Sequence, residues 1–396
     1  MLRIPSAGVP LPLFGIARGL FATGIAPFQD ELARLFDVRR AGLVSSGSAA
    51  FYLILKALSA RSGRKEVVLP AYTAPVVVLP VLKAGLKPVV ADVSLETFNI
   101  DAGDAARVAG PDTLAVMPAH MFGIPCDVEA LKEVAGACGA ALVEDAASAF
   151  GAKCGGRFAG TLGDAGYYSF HRGKQISTVT GGAWVTGDDE LAAAISRDAE
   201  RLRRPSPLER AAMFAKLVGF SLAVRPWFYS AFHPLLARFK DTAPHQDFPL
   251  HAYTATQAGV GLSLLRDLGR IIAARNERAD LARRILGGTD AVTLPRILPG
   301  TTPAHNHCPL LMPDGETRAR ALAAALDAGV ECTALYGRTI YQAYNLKPDE
   351  YGGGRCANAE DFAARLLLIP CHPMIPMARV EQVAEIVKKT AMGGPR

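Results

Sequence analysis

One lysine in the sequence stands where covalent chemistry is possible. Lys174 closes the string Ser169-Phe170-His171-Arg172-Gly173-Lys174. A lysine amine forms an imine only after it has lost its proton, and burial beside other cations favours that loss. The hydroxyl of Ser169, in the same string, could bind a phosphate. A lone lysine is usually a surface residue, so the position of Lys174 leaves both interpretations open.

A carboxylate and a small-residue turn complement this lysine. Asp145 lies in Glu144-Asp145-Ala146-Ala147-Ser148, at the end of an apolar run. A carboxylate there could keep a pyridine nitrogen protonated, which pyridoxal phosphate needs in order to accept electrons. The turn Ser45-Ser46-Gly47-Ser48-Ala49-Ala50 opens an apolar helix whose amides and dipole favour an anion. Taken singly, ordinary helix N-caps explain both features equally well.

The segments around these residues predict an open α/β sheet. Between about residues 43 and 186, short β-branched runs alternate with Ala-rich helical stretches. This alternation indicates a mostly parallel sheet covered by helices, with ligands at the carboxyl ends of the strands. The pair Gly181-Gly182 permits close backbone packing beside a ligand. The predicted strands are 67–69, 88–91, 114–117, 141–143 and 181–186.

Beyond residue 186 the pattern becomes mainly helical and then mixed. With 396 residues, two domains are favoured over one. We predict a large domain over 1–249 and a smaller C-terminal α/β domain over 250–396. The predicted elements are helices over 190–240, a polar linker over 241–249, a long helix over 256–286, and strands near Val292, over 307–311 and over 367–369.

The composition predicts a cytoplasmic protein without nucleic-acid partners. Its formal net charge is +6, yet the one dense basic stretch, 197–204, is interrupted by Asp198 and Glu200 and indicates a solvated helix face. Seven dispersed cysteines without CxxC spacing predict reduced thiols, with neither a disulfide framework nor a zinc site. The first twelve residues lack the pattern of a secretion signal.

The segment 217–239 combines aromatic and basic residues. Its charged residues and prolines exclude a membrane-spanning helix. Two interpretations stay open: a helical core or dimer surface, or a peripheral membrane contact that admits a lipid-linked sugar. The aromatic residues are Phe220, Trp227, Phe228, Tyr229, Phe232 and Phe239, and the basic ones nearby are Lys216, Arg225 and Arg238.

In their order along the chain, these strings resemble the DegT-type sugar-nucleotide aminotransferases, a family of fold type I pyridoxal-phosphate enzymes. The resemblance runs from Thr23 to about Lys388. The matching strings are Ser45-Ser46-Gly47-Ser48-Ala49-Ala50, Leu69-Pro70-Ala71-Tyr72-Thr73, Ala84-Gly85-Leu86-Lys87-Pro88, Glu144-Asp145-Ala146-Ala147, Leu162-Gly163-Asp164, Ser169-Phe170-His171 with Lys174, and Leu368-Ile369-Pro370-Cys371-His372-Pro373.

The resemblance implies a role for each matched residue. Lys174 matches the lysine that carries the cofactor as a Schiff base and moves the proton during transamination. Asp145 matches the partner of the pyridine nitrogen. The other implied cofactor contacts are Ser48 and Ala49 for the phosphate-binding backbone, Ser169 for the phosphate-binding hydroxyl, and Ser148 for the ring hydroxyl.

The chain departs from its relatives at two positions of the site. Relatives stack an aromatic residue on the cofactor ring where this chain has Ala74, and Tyr72 is the candidate replacement. Relatives also present an asparagine to the neighbouring subunit in a stretch that matches 250–254, where His251 or Thr254 would have to take its place.

Two stretches contain histidines whose roles the sequence predicts less directly. His120 follows a predicted strand and is either a substrate contact or a buried structural residue. The cluster His305-Asn306-His307-Cys308 lacks an acid or a further cysteine at ligand spacing, so structural use is favoured and no metal is expected.

The function implied is a pyridoxal-phosphate-dependent aminotransferase. It would move an amino group from glutamate or glutamine to a keto group on a nucleotide- or lipid-linked sugar or sugar-like acceptor, as a homodimer in sugar or polysaccharide biosynthesis. Lysine rather than histidine at 174 favours transamination over the dehydratase branch of the family. A pyridoxal-dependent sugar dehydratase or lyase, and a non-catalytic regulatory protein of the same fold, are the alternatives.

Overall fold

A mostly parallel β-sheet forms the centre of the structure. The computed structural model describes residues 2–9, 11, 13–237, 244–352 and 354–393. The strands in those residues are β1 (Arg40–Val44), β2 (Glu66–Pro70), β3 (Lys87–Ala91), β4 (Thr113–Val116), β5 (Ala141–Asp145), β6 (Lys153–Cys154), β7 (Arg157–Phe158), β8 (Ala165–Ser169), β9 (Gly182–Thr186), β10 (Thr301–Thr302), β11 (His307–Leu311) and β12 (Leu366–Pro370).

The topology of the sheet brings several strand ends to one edge. The strand order is β1-β9-β8-β5-β4-β2-β3, and only β9 runs antiparallel to its neighbours. The carboxyl ends of β1, β5 and β8 therefore meet at the edge where open α/β sheets bind ligands. The predicted α/β class with a mostly parallel sheet is confirmed, and each predicted strand up to residue 186 lies within two residues of an observed one.

Helices cover both faces of this sheet. They are α1 (Leu13–Leu20), α2 (Ala26–Phe36), α3 (Gly47–Ser59), α4 (Val78–Lys83), α5 (Ala102–Val108), α6 (Val128–Cys138), α7 (Asp189–Glu200), α8 (Pro207–Ala223), α9 (Pro226–Ala237), α10 (Ala255–Leu265), α11 (Leu268–Leu286), α12 (Gly315–Asp327), α13 (Ile340–Tyr344), α14 (Ala357–Arg365) and α15 (Met377–Ala391). Short 3-10 helices form at Pro75–Val77, Met121–Gly123 and Pro348–Glu350.

Strand side chains alternate between two apolar clusters. Val67 and Leu69 of β2 pack in the cluster that contains α3, whereas Val68 packs on the opposite face with α6. In β8, Tyr167 and Tyr168 likewise point into different clusters. This period of two is the property of a strand that is buried on both faces. The sheet is therefore a rigid support for the loops at its carboxyl edge.

The C-terminal part has an apolar cluster of its own. Strands β11 and β12 pair antiparallel and pack with α11, α12 and α15. Helix α10 instead packs against α1 and α2, in the cluster that contains Phe28 and Tyr168. The domain division at residues 249 and 250 stays a prediction.

Two predicted elements are wrong. The single helix over 256–286 is interrupted at Arg266 and Asp267, because α10 packs under α1 whereas α11 packs against α15. No strand forms at Val292 in the described residues; only an isolated bridge joins Thr293 to Leu311. The predicted helices over 190–240 are α7, α8 and α9 as far as residue 237, and residues 238–240 lie outside the described residues.

The remaining C-terminal predictions agree with the structure. The strands predicted over 307–311 and 367–369 are β11 and β12. In the predicted linker, residues 244–249 contain neither helix nor strand, and 241–243 lie outside the described residues. None of the helices described is long and apolar enough to cross a bilayer.

Candidate active site

Lys174 is held in a tight turn after β8. Its backbone N–H donates to the carbonyl of His171 (3.2 Å). Gly173 has φ of 86°, and a Cβ there would lie 2.8 Å from the Cβ of Ala7, so only glycine fits. The Lys174 Nζ donates to the Ser148 Oγ (2.7 Å). The turn therefore points the amine at the loop that follows β5.

The surroundings of Lys174 favour the neutral amine. Burial lowers the pKa of Lys174 to about 8, and the charge of Asp145 opposes that shift. Protein atoms surround the amine, yet part of the side chain stays open to solvent. Lys174 is thus half-buried, and its amine deprotonates more readily than that of a surface lysine.

Asp145 is a buried carboxylate at the carboxyl end of β5. Only 6% of its surface is exposed. Burial raises the pKa of Asp145, whereas the Ala147 N–H (2.9 Å from Oδ1), the Tyr167 hydroxyl and the charge of Lys174 counteract that rise. A carboxylate in this setting is stabilised further by a cationic partner.

The loop after β1 and the end of β8 form a compact cradle. Ser46 caps α3, because its Oγ accepts the Ala49 N–H (3.0 Å). A Cβ on Gly47 would lie 3.2 Å from the Ser169 Cβ, and a Cβ on Gly182 only 2.4 Å from the Ser46 carbonyl carbon. Small residues therefore let the amino end of α3 approach β8 and β9 closely.

The structure brings most of the predicted site residues into two groups, and Tyr72 approaches them through Tyr336. Lys174, Ser148 and Asp145 form the first group. The second is the cradle, in which Ser48 and Ser169 are half-buried. The Ala49 N–H already donates to the Ser46 Oγ that caps α3. A phosphate bound at Ala49, as predicted, would therefore have to share this N–H with Ser46.

Tyr72 is packed away among other aromatic rings. Its ring centroid lies 4.8 Å from that of Phe362 and 6.0 Å from that of Tyr336. Among the described residues its hydroxyl has no well-aligned hydrogen-bond partner; the Tyr336 backbone gives only a weaker polar interaction. Burial raises the pKa of that hydroxyl. Its role in stacking on a ring stays a prediction.

Sequence reasoning missed three residues around this site. The Tyr167 hydroxyl faces the Met117 Sδ (3.2 Å) and the Asp145 carboxylate. The residue pairs with Asp145 across β5 and β8, so strand register was the available signal. Tyr336 also lies near Asp145: its pKa is raised by burial and by that carboxylate. No local pattern pointed to Tyr336, since it comes from a distant loop.

The third missed residue is Arg275, which is 1% exposed. Its guanidinium donates to the carbonyls of Gly8 (2.9 Å), Asn306 (3.1 Å) and Lys174 (3.4 Å). It therefore links the N-terminal segment, the C-terminal part and the turn that carries the amine. Its sequence position inside a polar helix pattern gave no sign of this burial.

His120 is a buried structural residue. Its Nδ1 accepts the Cys126 N–H (3.0 Å), and its Nε2 donates to Glu144 Oε2 (2.9 Å). Both ring nitrogens are thus used within the protein, and the side chain is 1% exposed. Of the two open interpretations, the structural one is correct.

The substitutes proposed for the asparagine of the relatives are also engaged within the chain. The Thr254 Oγ1 caps α10 by accepting the Gln257 N–H (3.2 Å), and the residue is 4% exposed. The His251 Nδ1 faces the Ala252 carbonyl (2.9 Å). A contact from either residue to a neighbouring subunit stays a prediction.

Known proteins resemble this chain in sequence and in fold. GDP-perosamine synthase of Caulobacter vibrioides is 37% identical over 169 residues, which is 43% of this chain and 45% of that protein. The chain thus spans less than half the length of the curated relatives it matches.

Solved structures match over nearly the whole chain. The aminotransferase TlmJ of Streptoalloteichus hindustanus is 26% identical with a TM-score of 0.76, covering 99% of both chains. DesV of S. venezuelae is 25% identical with a TM-score of 0.75, covering 96% of this chain and 93% of that one. The fold is that of fold type I aminotransferases.

A model of the DegT/DnrJ/EryC1/StrS aminotransferase family matches residues 21–222 and 252–388. The matched residues include Lys174, Asp145 and the cradle, and they leave out α1 and all of α9. The chain belongs to the DegT/DnrJ/EryC1/StrS aminotransferase family.

Proposed function

We propose that this chain is a pyridoxal-phosphate-dependent aminotransferase. It transfers an amino group from glutamate or glutamine to a keto group on a nucleotide- or lipid-linked sugar or sugar-like acceptor. The observation that carries the proposal is the Lys174 amine, whose pKa is lowered to about 8 beside the buried carboxylate of Asp145. The name of the Caulobacter relative refers to a GDP-linked amino sugar and favours a nucleotide-linked acceptor.

The residues present fit pyridoxal phosphate. Asp145 would hold a proton on the pyridine nitrogen, because a cationic ring would stabilise this buried carboxylate. The Ser48 amide and the Ser169 hydroxyl would bind the phosphate at the amino end of α3. Ser148 would contact the ring hydroxyl. Pyridoxal phosphate, when bound, supplies an electron sink for the charge that develops at the substrate carbon.

The protein's own contribution is proton transfer and orientation at Lys174. A neutral Nζ can accept a proton, and the lowered pKa increases the neutral fraction near pH 8. The Ser148 Oγ, 2.7 Å away, orients that amine. The Asp145 charge restrains its pKa from falling further. The same atom can therefore take up and return a proton within one reaction cycle.

We also propose that the enzyme acts in the cytoplasm as a homodimer, in sugar or polysaccharide biosynthesis. Support for the dimer comes from the family resemblance and from the asparagine position, which in relatives serves the neighbouring subunit. Light scattering of the purified protein measures the mass in solution; a monomer at all concentrations would contradict this part of the proposal.

An absorbance spectrum with pyridoxal phosphate tests the activity. The wild type should show the visible band of lysine-bound cofactor, and glutamate should shift it toward the amine form of the cofactor. Lys174→Ala should lack the band, whereas Lys132→Ala, at a half-buried lysine of α6 paired with Glu129, should keep it.

Two other results would favour the alternatives. A band that no amino donor shifts, with loss of oxygen from the sugar, points to the dehydratase or lyase. A wild type without any band overturns the proposal and favours the non-catalytic regulatory protein.

A further inference from the structure

Exposed aromatic side chains concentrate on two helices. In the described part of the chain, every exposed phenylalanine or tryptophan lies on α9 or at α1. These side chains are Phe14 (72% exposed), Phe21 (84%), Trp227 (57%) and Phe232 (45%). Elsewhere the aromatic residues are buried or half-buried, so this surface differs from the rest of the molecule.

The inner side of α9 is fixed to the body of the protein. The Tyr229 hydroxyl donates to Glu331 Oε2 (2.5 Å), and the Ser230 Oγ accepts the Arg3 N–H (2.6 Å). Polar contacts with two distant parts of the chain thus set the rotation of α9 about its axis. The orientation of its outer face follows from them.

The outer face of α9 is an aromatic stripe. The ring centroids of Phe228 and Phe232 are 4.5 Å apart in a stacked arrangement, and that of Trp227 lies 5.6 Å from Phe228. Trp227 and Phe232 are exposed although they belong to a helix of high apolar content. The exposed rings of the stripe therefore face solvent, and no other described residue covers them.

Helix α1 begins close to the same place. The Ser221 Oγ, near the end of α8, donates to the carbonyl of Leu11 (2.9 Å), and α9 starts a few residues after Ser221. On α1, Phe14 and Arg18 share one side, with the guanidinium carbon 5.8 Å from the ring centroid. The first turns of α1 and α9 thus flank one end of α8.

The charges along α8 and α9 are mainly positive. Over residues 207–237 the acidic residue is Glu209 and the basic ones are Arg210, Lys216 and Arg225. Glu209 is already neutralised by two contacts with Arg203 (2.7 and 2.9 Å). Arg210, Lys216 and Arg225 have no acidic partner among the described residues, so the two helices that carry these cations and the aromatic stripe complement an anionic lipid surface.

We propose that the outer face of α9, with the adjoining end of α1, docks on the surface of an anionic phospholipid bilayer. Trp227, Phe232 and Phe14 present on the order of 400 Å² of exposed aromatic surface, less than the roughly 800 Å² per partner of a stable protein interface. Aromatic side chains with a polar edge and basic neighbours are what interfacial helices place at headgroup depth. Because α9 lies outside the residues matched by the family, the shared family chemistry gives no other account of its exposed face. The inference does not depend on the proposed aminotransferase activity.

Vesicle binding with tryptophan fluorescence tests the proposal directly. Of the two tryptophans, Trp184 is 2% exposed and Trp227 is 57% exposed, so a change of emission reports on α9. Phosphatidylglycerol vesicles should bind the full chain and shift its emission to the blue, whereas phosphatidylcholine vesicles and high salt should weaken both effects.

Variants then test whether vesicle binding depends on the outer face of α9 or on exposed apolar residues in general. Co-sedimentation with vesicles measures the binding of the variants, because Trp227→Ser removes the fluorescent reporter. Combining Trp227→Ser with Phe232→Ser should reduce the vesicle partition coefficient by about tenfold or more, and Lys216→Gln alone by about fivefold. The matched control combines Leu82→Ser with Leu326→Ser, at exposed apolar residues on α4 and α12, and should bind like the wild type. The emission of buried Trp184 verifies that each variant is folded.

Three results would overturn the proposal. The first is a wild-type protein that does not bind phosphatidylglycerol vesicles. The second is equal loss in the control and in the Trp227 and Phe232 variant. The third is a Trp227 and Phe232 variant whose mass in solution is half that of the wild type, because the outer face of α9 would then join two copies of the chain.

Discussion

At the scale of single residues, two neighbouring carboxylates at the end of β5 serve different purposes. Glu144 and Asp145 point to opposite faces of the sheet because strand side chains alternate. Asp145 interacts with the charge of Lys174. Glu144 is fully buried and accepts hydrogen bonds from His120 and from the backbone N–H groups of the loop after β7. Glu144 therefore fixes the loop, whereas Asp145 is the carboxylate next to Lys174.

Glu144→Gln is expected to destabilise the fold. The amide would present a donor to backbone N–H groups, at a cost of about 2–4 kcal/mol at pH 7. Burial by itself raises the pKa of Glu144, but the hydrogen bonds of His120, Gly160 and Gly163 outweigh it, so the net pKa is lowered. The wild-type advantage is therefore present above pH 4.5, the usual value, and is lost as the pH falls through the lowered pKa.

Urea unfolding at pH 7 and in acid measures that difference. Glu316→Gln, at an exposed glutamate of α12, is the control and should leave stability nearly unchanged. An equal loss at every pH would mean that the carboxylate charge is not the cause.

The lowered pKa of Lys174 predicts a pH profile for its labelling. Only the neutral amine reacts, so the rate should rise about tenfold per pH unit below pH 8 and level off above it. Pyridoxal phosphate, trapped by borohydride and located by mass spectrometry, reports the modified fraction. Asp145→Asn should move the midpoint to lower pH, because the carboxylate charge holds the pKa of the amine up. A midpoint near 10.5 would contradict the burial argument.

The sequence predicted some of these residues better than others. Lys174 and Asp145 stand in recognisable strings, because each must follow a strand of the sheet within a few residues. Tyr336 and Arg275 act on the same site through long-range packing, and nothing local distinguishes them from ordinary loop and helix residues. Site residues near the ends of strands could be predicted from the local sequence. Residues that tertiary packing brings to the site could not.

At the scale of elements, the cradle depends on how closely α3 approaches β9. Gly182→Ala would place a Cβ 2.4 Å from the Ser46 carbonyl carbon, so the amino end of α3 must shift. We expect a loss of about 1–3 kcal/mol in unfolding free energy and weaker binding of pyridoxal phosphate.

Gly219→Ala provides the control for that variant. Its Cβ would meet nothing within 4 Å inside α8, so stability should rise by about 0.5–1 kcal/mol. Fluorescence titration with the cofactor measures the affinity of both. Unchanged affinity in Gly182→Ala would mean that the phosphate does not lie at the start of α3.

Element boundaries show where sequence patterns fail. The apolar pattern of 256–286 predicts one helix, and helical spacing does persist on both sides of Arg266. Helix α10 packs against α1 in the cluster of Phe28, whereas α11 begins in that cluster at Leu268 and ends in the cluster of Leu310 at Leu286. The local apolar pattern does not contain this change of packing partners, which arises from the tertiary arrangement.

At the scale of the whole molecule, the N-terminal segment joins two of the apolar clusters. Ile4 packs with α11, α12 and α15, whereas Val9 and Leu11 pack with α2 and α10. The Ile4 N–H donates to the carbonyl of Gly329 (2.9 Å), and the Ile4 carbonyl accepts the Glu331 N–H (3.0 Å). The segment therefore fastens the C-terminal part to the central sheet.

The same segment passes directly over the turn of Lys174. Ala7 lies against Gly173, and the Ser6 carbonyl accepts a hydrogen bond from His307 Nε2 (3.0 Å). His307 is itself close enough to Lys174 for the two charges to interact. Residues 6 and 7 thus contribute to the burial that lowers the pKa of the amine.

Ile4→Ala tests both functions of this segment. Removing a core isoleucine that is 3% exposed should cost about 2–4 kcal/mol in unfolding free energy, whereas Leu2→Ala, at a residue 60% exposed, should change it by about 0.5 kcal/mol or less. If the loosened segment also admits water to the turn, the labelling midpoint of Lys174 should rise from about 8 toward 10.5. A less stable Ile4→Ala variant with an unchanged midpoint would separate the two functions, because the burial of Lys174 would then come from the other residues around the amine.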